Sequence, residues 1–145
     1  MKCEEEIANE YPELFEYWHM DPSEADGPAP SICVDGFRCG KGWHNIIESV
    51  CEHLDRMDVE IRVTCIKEKF GGLRFYHGGV QAEEERDSYM AMGAIQQAEE
   101  MSFHVCEECG ASAELRQSGW FRTLCDECWT EEQARRRERS PRDLE

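Results

Sequence analysis

The sequence predicts an α+β fold: a small antiparallel hairpin packed by helices, with a four-cysteine zinc-ribbon module at its C-terminal end. Three observations lead there. Residues 59–78 alternate apolar and polar side chains around Gly71-Gly72, as a half-buried hairpin does. Two stretches, near 44–57 and 83–103, repeat apolar residues at helical spacing. Cys106-Glu-Glu-Cys109 and Cys125-Asp-Glu-Cys128, separated by fifteen residues, carry the spacing of a four-thiolate zinc site.

The bulk properties set limits. The 145 residues suffice for one compact domain, or for a small domain with a metal-stapled appendix. There is no apolar run of about 18 residues, so no membrane-spanning helix is expected. The N-terminus, Met-Lys-Cys-Glu-Glu-Glu, lacks the apolar stretch of a secretory signal. Nine cysteines, an odd number, point to metal binding in a reducing compartment over a disulfide framework, hence to the cytoplasm. Formal charge is −16. Residues 1–105 hold 22 acidic and 9 basic side chains, and residues 106–145 hold 10 and 7. Such a chain repels nucleic acid in bulk. The acidity is either a solvated surface with no partner implied, or a face that mimics nucleic acid or docks on a basic protein.

The chain divides into four stretches. Residues 1–31 read as an acidic helical segment and linker. Ile7, Ala8, Tyr11, Leu14, Phe15 and Trp18 share one helical face, interrupted by Pro12 into two short pieces, and the three prolines of 21–31 mark a loop. Residues 32–104 form the α+β core. Its first helix sets a stripe of Ile46, Ile47, Val50, Cys51 and Leu54. In the hairpin, Val59, Ile61 and Val63 have the opposite parity from Ile66 and Phe70, which requires a bulge near Thr64–Ile66. With Gly71-Gly72 as the loop, Phe70 pairs with Leu73, Glu68 with Phe75 and Ile66 with His77. In the long helix, Tyr89, Met92, Ile95, Ala98 (or Glu99) and Met101 set the buried stripe. Residues 105–130 are the zinc ribbon, or a treble-clef-like variant, with a short hairpin turning near Ser118-Gly119. Residues 131–145 are a charged helix or tail; Thr130 and Gln133 make a capping-box pattern at its start, and it stops before Pro141.

Cys106, Cys109, Cys125 and Cys128 are the zinc ligands expected from spacing. Two Cys-x-x-Cys pairs converge on one tetrahedral ion with zinc–sulfur distances of about 2.3 Å, and Gly110 lets the chain turn back after the first pair. Four thiolates close the coordination shell, so the metal is structural. A nucleobase deaminase would need Pro before a Cys-x-x-Cys pair and an upstream His-x-Glu, and both are missing. Rubredoxin-type iron is the minor alternative. Cys33, Cys39, His44 and Cys51 match no common zinc pattern, and packing is their default explanation. The five histidines are scattered singly, and no nucleophile–base pair or phosphate loop is recognisable. No catalytic constellation results.

Lys67, Lys69, Arg74 and Tyr76 fall on the polar side of the hairpin, three cations and an aromatic in an acidic chain. They either balance neighbouring carboxylates or bind a phosphate-bearing ligand, with Tyr76 available for stacking. The Arg135–Arg139 cluster is interleaved with Glu131, Glu132 and Glu138 and reads as a self-paired helix.

Cys39-Gly-Lys-Gly-Trp43, Lys67-Glu-Lys-Phe-Gly-Gly-Leu-Arg-Phe-Tyr76 and Cys106-x-x-Cys109 with Gly-Trp-Phe-Arg-Thr-Leu-Cys-Asp-Glu-Cys128 together resemble a family of small phage and prophage zinc-ribbon proteins. The resemblance covers about residues 33–129 and implies a viral accessory origin and a zinc module, but no reaction. With the acidity, it points to a non-enzymatic protein that binds and modulates a host protein in the bacterial cytoplasm, with anti-defence as the setting. The alternative is a nucleic-acid or nucleotide binder, cyclic nucleotides included, using Lys67, Lys69, Arg74 and Tyr76.

Overall fold

The computed structural model describes residues 1–139 and is α+β. Its elements are α1 (Glu4–Glu10), α2 (Ser31–Asp35), β1 (Phe37–Arg38), α3 (His44–Arg56), β2 (Glu60–Lys69), β3 (Gly72–Gln81), α4 (Glu85–Ser102), β4 (Glu114–Arg116), β5 (Arg122–Leu124) and α5 (Asp126–Arg139). A three-stranded sheet runs in the order β1-β2-β3. β2 and β3 form the expected antiparallel hairpin, while β1 pairs parallel to β2 through Phe37↔Ile66 and Arg38↔Lys67. A parallel pair needs a crossover, and α3 supplies it. Two residues are too few to leave an alternating pattern, so β1 is not visible in the sequence.

The hairpin register differs from the expectation by two residues. Lys69 pairs with Gly72, Glu68 with Leu73, Ile66 with Phe75 and Cys65 with Tyr76. The turn residues are therefore Phe70 and Gly71, both at positive φ (54° and 83°), as in a tight type I′ turn. Gly72 stands in the strand, where a Cβ would lie 2.3 Å from the Phe103 ring, so only glycine fits. A two-residue shift leaves the paired strand residues on their own faces, so Ile66, Leu73 and Phe75 are buried as anticipated, but Phe70, expected opposite Leu73 on the apolar face, falls in the turn and is exposed. The required bulge is present: the register slips between Val63 and Cys65, and a second slip lies between Ile61 and Val63.

All five residues of the expected α3 stripe are buried, together with Trp43 and His44 just ahead of it. In α4 the buried residues are Ala91, Ile95, Ala98 and Ser102, whereas Tyr89, Met92 and Met101 of the expected stripe are exposed. Small side chains let this helix approach closely, and Ser102 Oγ accepts the Leu73 N–H at 2.8 Å, satisfying a donor on the open edge of β3.

The N-terminal residues are not a separate segment. Ile7, Ala8, Tyr11, Leu14 and Phe15 belong to the same core cluster as α3 and the sheet. Val63 N–H donates to the Leu14 carbonyl at 2.8 Å, and Phe37 N–H to a Glu4 carboxylate oxygen at 2.9 Å. Pro12 ends α1 as expected, but turns follow instead of a second helix. α5 begins at Asp126, ahead of the anticipated Thr130 cap, and Thr130 Oγ1 instead donates to the Asp126 carbonyl. The expected stop before Pro141 lies outside the described residues. Among the described residues no helix is long and apolar enough to cross a membrane.

Candidate metal centre and the cleft beside it

The sulfurs of Cys106, Cys109, Cys125 and Cys128 all lie within 4.8 Å of one another and can hold a metal ion. Cys109 and Cys125 Sγ are 3.7 Å apart. A tetrahedron with metal–sulfur bonds of about 2.3 Å requires sulfur–sulfur separations of about 3.8 Å, so the spacing fits. The first pair sits on a knuckle. Gly110, at φ 82°, returns the chain so that its N–H donates to the Cys106 carbonyl at 2.9 Å. The second pair flanks the start of α5, where Trp129 N–H donates to the Cys125 carbonyl at 2.9 Å. Knuckle, β4–β5 hairpin and helix form the treble-clef-like arrangement.

Electrostatics also favour a cation here. Burial pushes the Cys106 thiol up, yet the backbone N–H groups of Cys125, Cys109 and Glu108 outweigh it and hold that thiol down at about 7. The Cys128 thiol is pushed up by burial and then by the other three sulfurs. Four thiols this close cannot all ionise without a positive charge between them, which a metal ion held there would supply.

Backbone contacts dock this module on the core. Gly42 N–H donates to the Glu107 carbonyl at 2.7 Å, Gly40 N–H to the Glu107 carboxylate at 2.9 Å, and Trp43 Nε1–H to the Val105 carbonyl at 2.8 Å. On the other side, Thr123 Oγ1 donates to the Gly71 carbonyl at 2.6 Å. Arg122 ties the parts together, contacting Glu107 at 3.3 Å, Glu108 at 2.8 Å and Glu132 at 3.8 Å. Three motifs that are separate in sequence, 39–43, 67–76 and the cysteine pairs, thus meet at one interface.

The cationic hairpin face stays on one side of β2–β3 but gathers no shared concavity. Arg74 pairs with Glu99 at 3.4 Å, and the Lys67 ammonium lies 5.6 Å from the Tyr76 ring centroid. Of these four residues Lys69 lines a cleft, with its ammonium 5.7 Å from the Phe70 centroid. Cys33, Cys39, His44 and Cys51 form no metal cluster among the described residues. Cys33 donates to the Met20 carbonyl, His44 Nδ1 is bonded to the Lys2 carbonyl, and Cys51 is core.

One group of residues escapes the sequence reading. The tips of the two hairpins, β2–β3 and β4–β5, stand side by side and enclose an open cleft of about 400 Å³. It is lined by Glu68, Lys69, Phe70, Gly119, Trp120 and Phe121. Phe70 is 68% exposed and Trp120 is 71% exposed. The sequence does hold a signal: turns favour Gly, Asn, Asp, Pro and Ser, and aromatic residues at both turns have no local reason to be there.

The chain matches no protein-family model, no curated protein and no solved structure.

Proposed function

We propose that this chain is a non-enzymatic phage or prophage accessory protein, stapled by zinc, that binds and modulates a host protein, with anti-defence as its setting. Zinc is the ion assigned because a closed tetrahedral shell of four thiolates serves a structural role in a reducing cytoplasm. Cys106, Cys109, Cys125 and Cys128 hold it. The metal then substitutes for the core that α5 lacks, since α5 has no fully buried residue of its own.

The observation that carries the binding function is the exposed aromatic group Phe70, Trp120 and Phe121 at the junction of the two hairpins. Solvent-facing aromatics beside one another mark interaction sites, and such residues dominate the energetics of interfaces. Phe70 adds a second sign. A bulky residue at φ 54° costs stability where glycine or asparagine would not, and such strain collects at functional positions. The alternative of a nucleic-acid or nucleotide site on Lys67, Lys69, Arg74 and Tyr76 has weaker support, because Arg74 is engaged by Glu99.

Affinity capture from a bacterial lysate tests the reading. The zinc-loaded chain should retain a protein partner, and Trp120→Ala should reduce its recovery by about tenfold, as expected for loss of one interface hot spot. Recovery of no protein by the wild-type chain would contradict it.

A further inference from the structure

The cleft between the hairpin tips is lined by charged as well as aromatic residues. Glu68 lines it, and one carboxylate oxygen of Glu68, Oε2, is buried with no hydrogen-bond partner among the described residues. An acceptor removed from water without a partner is destabilising, and a carboxylate more so than a neutral group. The nearby guanidinium does not relieve it, because Arg122 is directed to Glu107, Glu108 and Glu132. An acidic residue with an unpartnered oxygen thus lines the cleft beside three aromatic side chains, and the whole chain carries −16.

A neutral donor could bond the Glu68 carboxylate, but without the charge assistance and the attraction to ring faces that a cation brings. A cation answers both features, since it is attracted to ring faces and forms a charge-assisted bond to the carboxylate. Among cationic side chains the guanidinium fits best: it is planar, stacks on aromatic rings and presents a fork of donors to one carboxylate. The module already uses this pairing on itself. The guanidinium carbons of Arg116 and Arg136 lie 5.9 and 5.5 Å from the centroid of the Trp129 ring.

We propose that this cleft receives an arginine side chain of a basic partner protein, with Glu68 as its counter-ion and Phe70, Trp120 and Phe121 as its walls. The proposal rests on the protein-binding reading above and specifies the chemistry of the partner. Lys69 borders the same cleft and forms no ion pair among the described residues, so it competes electrostatically with the incoming cation. That competition gives the proposal a distinctive signature.

The test uses the full zinc-loaded chain, labelled with ¹⁵N, titrated with the blocked tripeptide acetyl-Gly-Arg-Gly-amide. The reporter is the indole N–H signal of Trp120, assigned by its loss in Trp120→Phe. A saturable shift is expected with the arginine peptide. The citrulline peptide, of the same shape without charge, should bind at least about fivefold more weakly, as should the arginine peptide with Glu68→Gln. Lys69→Met should tighten binding. Equal binding of arginine and citrulline peptides, an effect of Glu68→Gln below about fivefold with an unchanged spectrum elsewhere, or a shift produced by the acidic peptide acetyl-Gly-Glu-Gly-amide would each overturn the proposal. The two readings fail separately. Lysate capture abolished by Trp120→Ala but untouched by Glu68→Gln removes the arginine assignment and keeps the binding function. Peptide binding as described, with no lysate partner, removes only the latter.

Discussion

Gly42 abuts Cys106: a Cβ placed on Gly42 would stand 2.1 Å from the Cys106 carbonyl oxygen and 2.6 Å from that of Glu107. These are backbone atoms, held by the knuckle, and they cannot swing aside. The metal module therefore meets the core at a point where only hydrogen fits, and the N–H of the same glycine donates across the junction.

Gly42→Ala should accordingly loosen the docking and destabilise the chain by about 2–4 kcal/mol, the range for overpacking plus a lost buried hydrogen bond. Gly93→Ala is the control. Gly93 lies within α4 with nothing within 4 Å of a Cβ, and alanine there should stabilise by about 0.5–1 kcal/mol. Urea unfolding midpoints at equal slope measure both; opposite signs are expected.

The turn at Phe70-Gly71 predicts a trade of stability against binding. Phe70→Asn keeps the positive φ at lower cost and supplies the Asn-Gly pair that a type I′ turn prefers, so stability should rise by about 0.5–1 kcal/mol. The same change removes an aromatic wall of the cleft, and partner recovery should fall. A variant less stable than wild type would show that Phe70 packs more than its exposure indicates.

His77 gives a pH dependence. Burial holds its pKa below the ordinary value of 6.5, and its Nδ1 accepts the Gly79 N–H at 3.1 Å, which requires the neutral ring. In this window the unfolded chain binds more protons than the folded one, so stability falls as pH drops through 6.5 towards the depressed folded value. His77→Gln should flatten this component: the stability difference between about pH 7.5 and 5.5 should be smaller in the variant than in wild type, read by thermal or urea unfolding.

Metal removal should act locally first. The core cluster from Ile7 to Ala98 stands without the cysteines of the metal site, whereas β4, β5 and α5 depend on them. Elemental analysis of protein purified without chelator should give one zinc per four-cysteine site. Chelation should abolish hydrogen-exchange protection in 106–124 while the β2–β3 amides keep theirs. Simultaneous loss in both regions would mean that the module and core fold as a single unit.

What can be read from the sequence follows from how local each cause is. The cysteine spacing is local, and all four sulfurs converge as expected. The alternation of β2 and β3 is local too, and it assigns the faces correctly even though it sets the turn one residue late. The second glycine looks like a turn residue in sequence, but its cause is distant: the Phe103 ring, more than thirty residues from Gly72, occupies the space of the missing Cβ. The α4 stripe is met only in part: Ile95 and Ala98 are buried as expected, but hydrophobicity also selects Tyr89, Met92 and Met101, which are exposed, where close helix packing buries Ala91 and Ser102. The cleft needs two hairpins distant in sequence to stand together, and only tertiary structure supplies that. Alternation puts the cationic side chains Lys67, Lys69 and Arg74 on one face, yet their partners, Tyr76, Phe70 and Glu99, decide what each one does.

The central claim is that the two hairpin tips form a protein-binding site held in place by the metal module. It is tested most directly by placing a photo-crosslinking residue at Ser118, an exposed position beside the cleft, and irradiating the zinc-loaded chain in a bacterial lysate. The account predicts a crosslink to a discrete basic protein, lost with Trp120→Ala and lost again when Cys125→Ser removes a metal ligand. A chain that retains its zinc and yields no crosslinked protein, or one crosslinked equally well with Trp120→Ala, would contradict it.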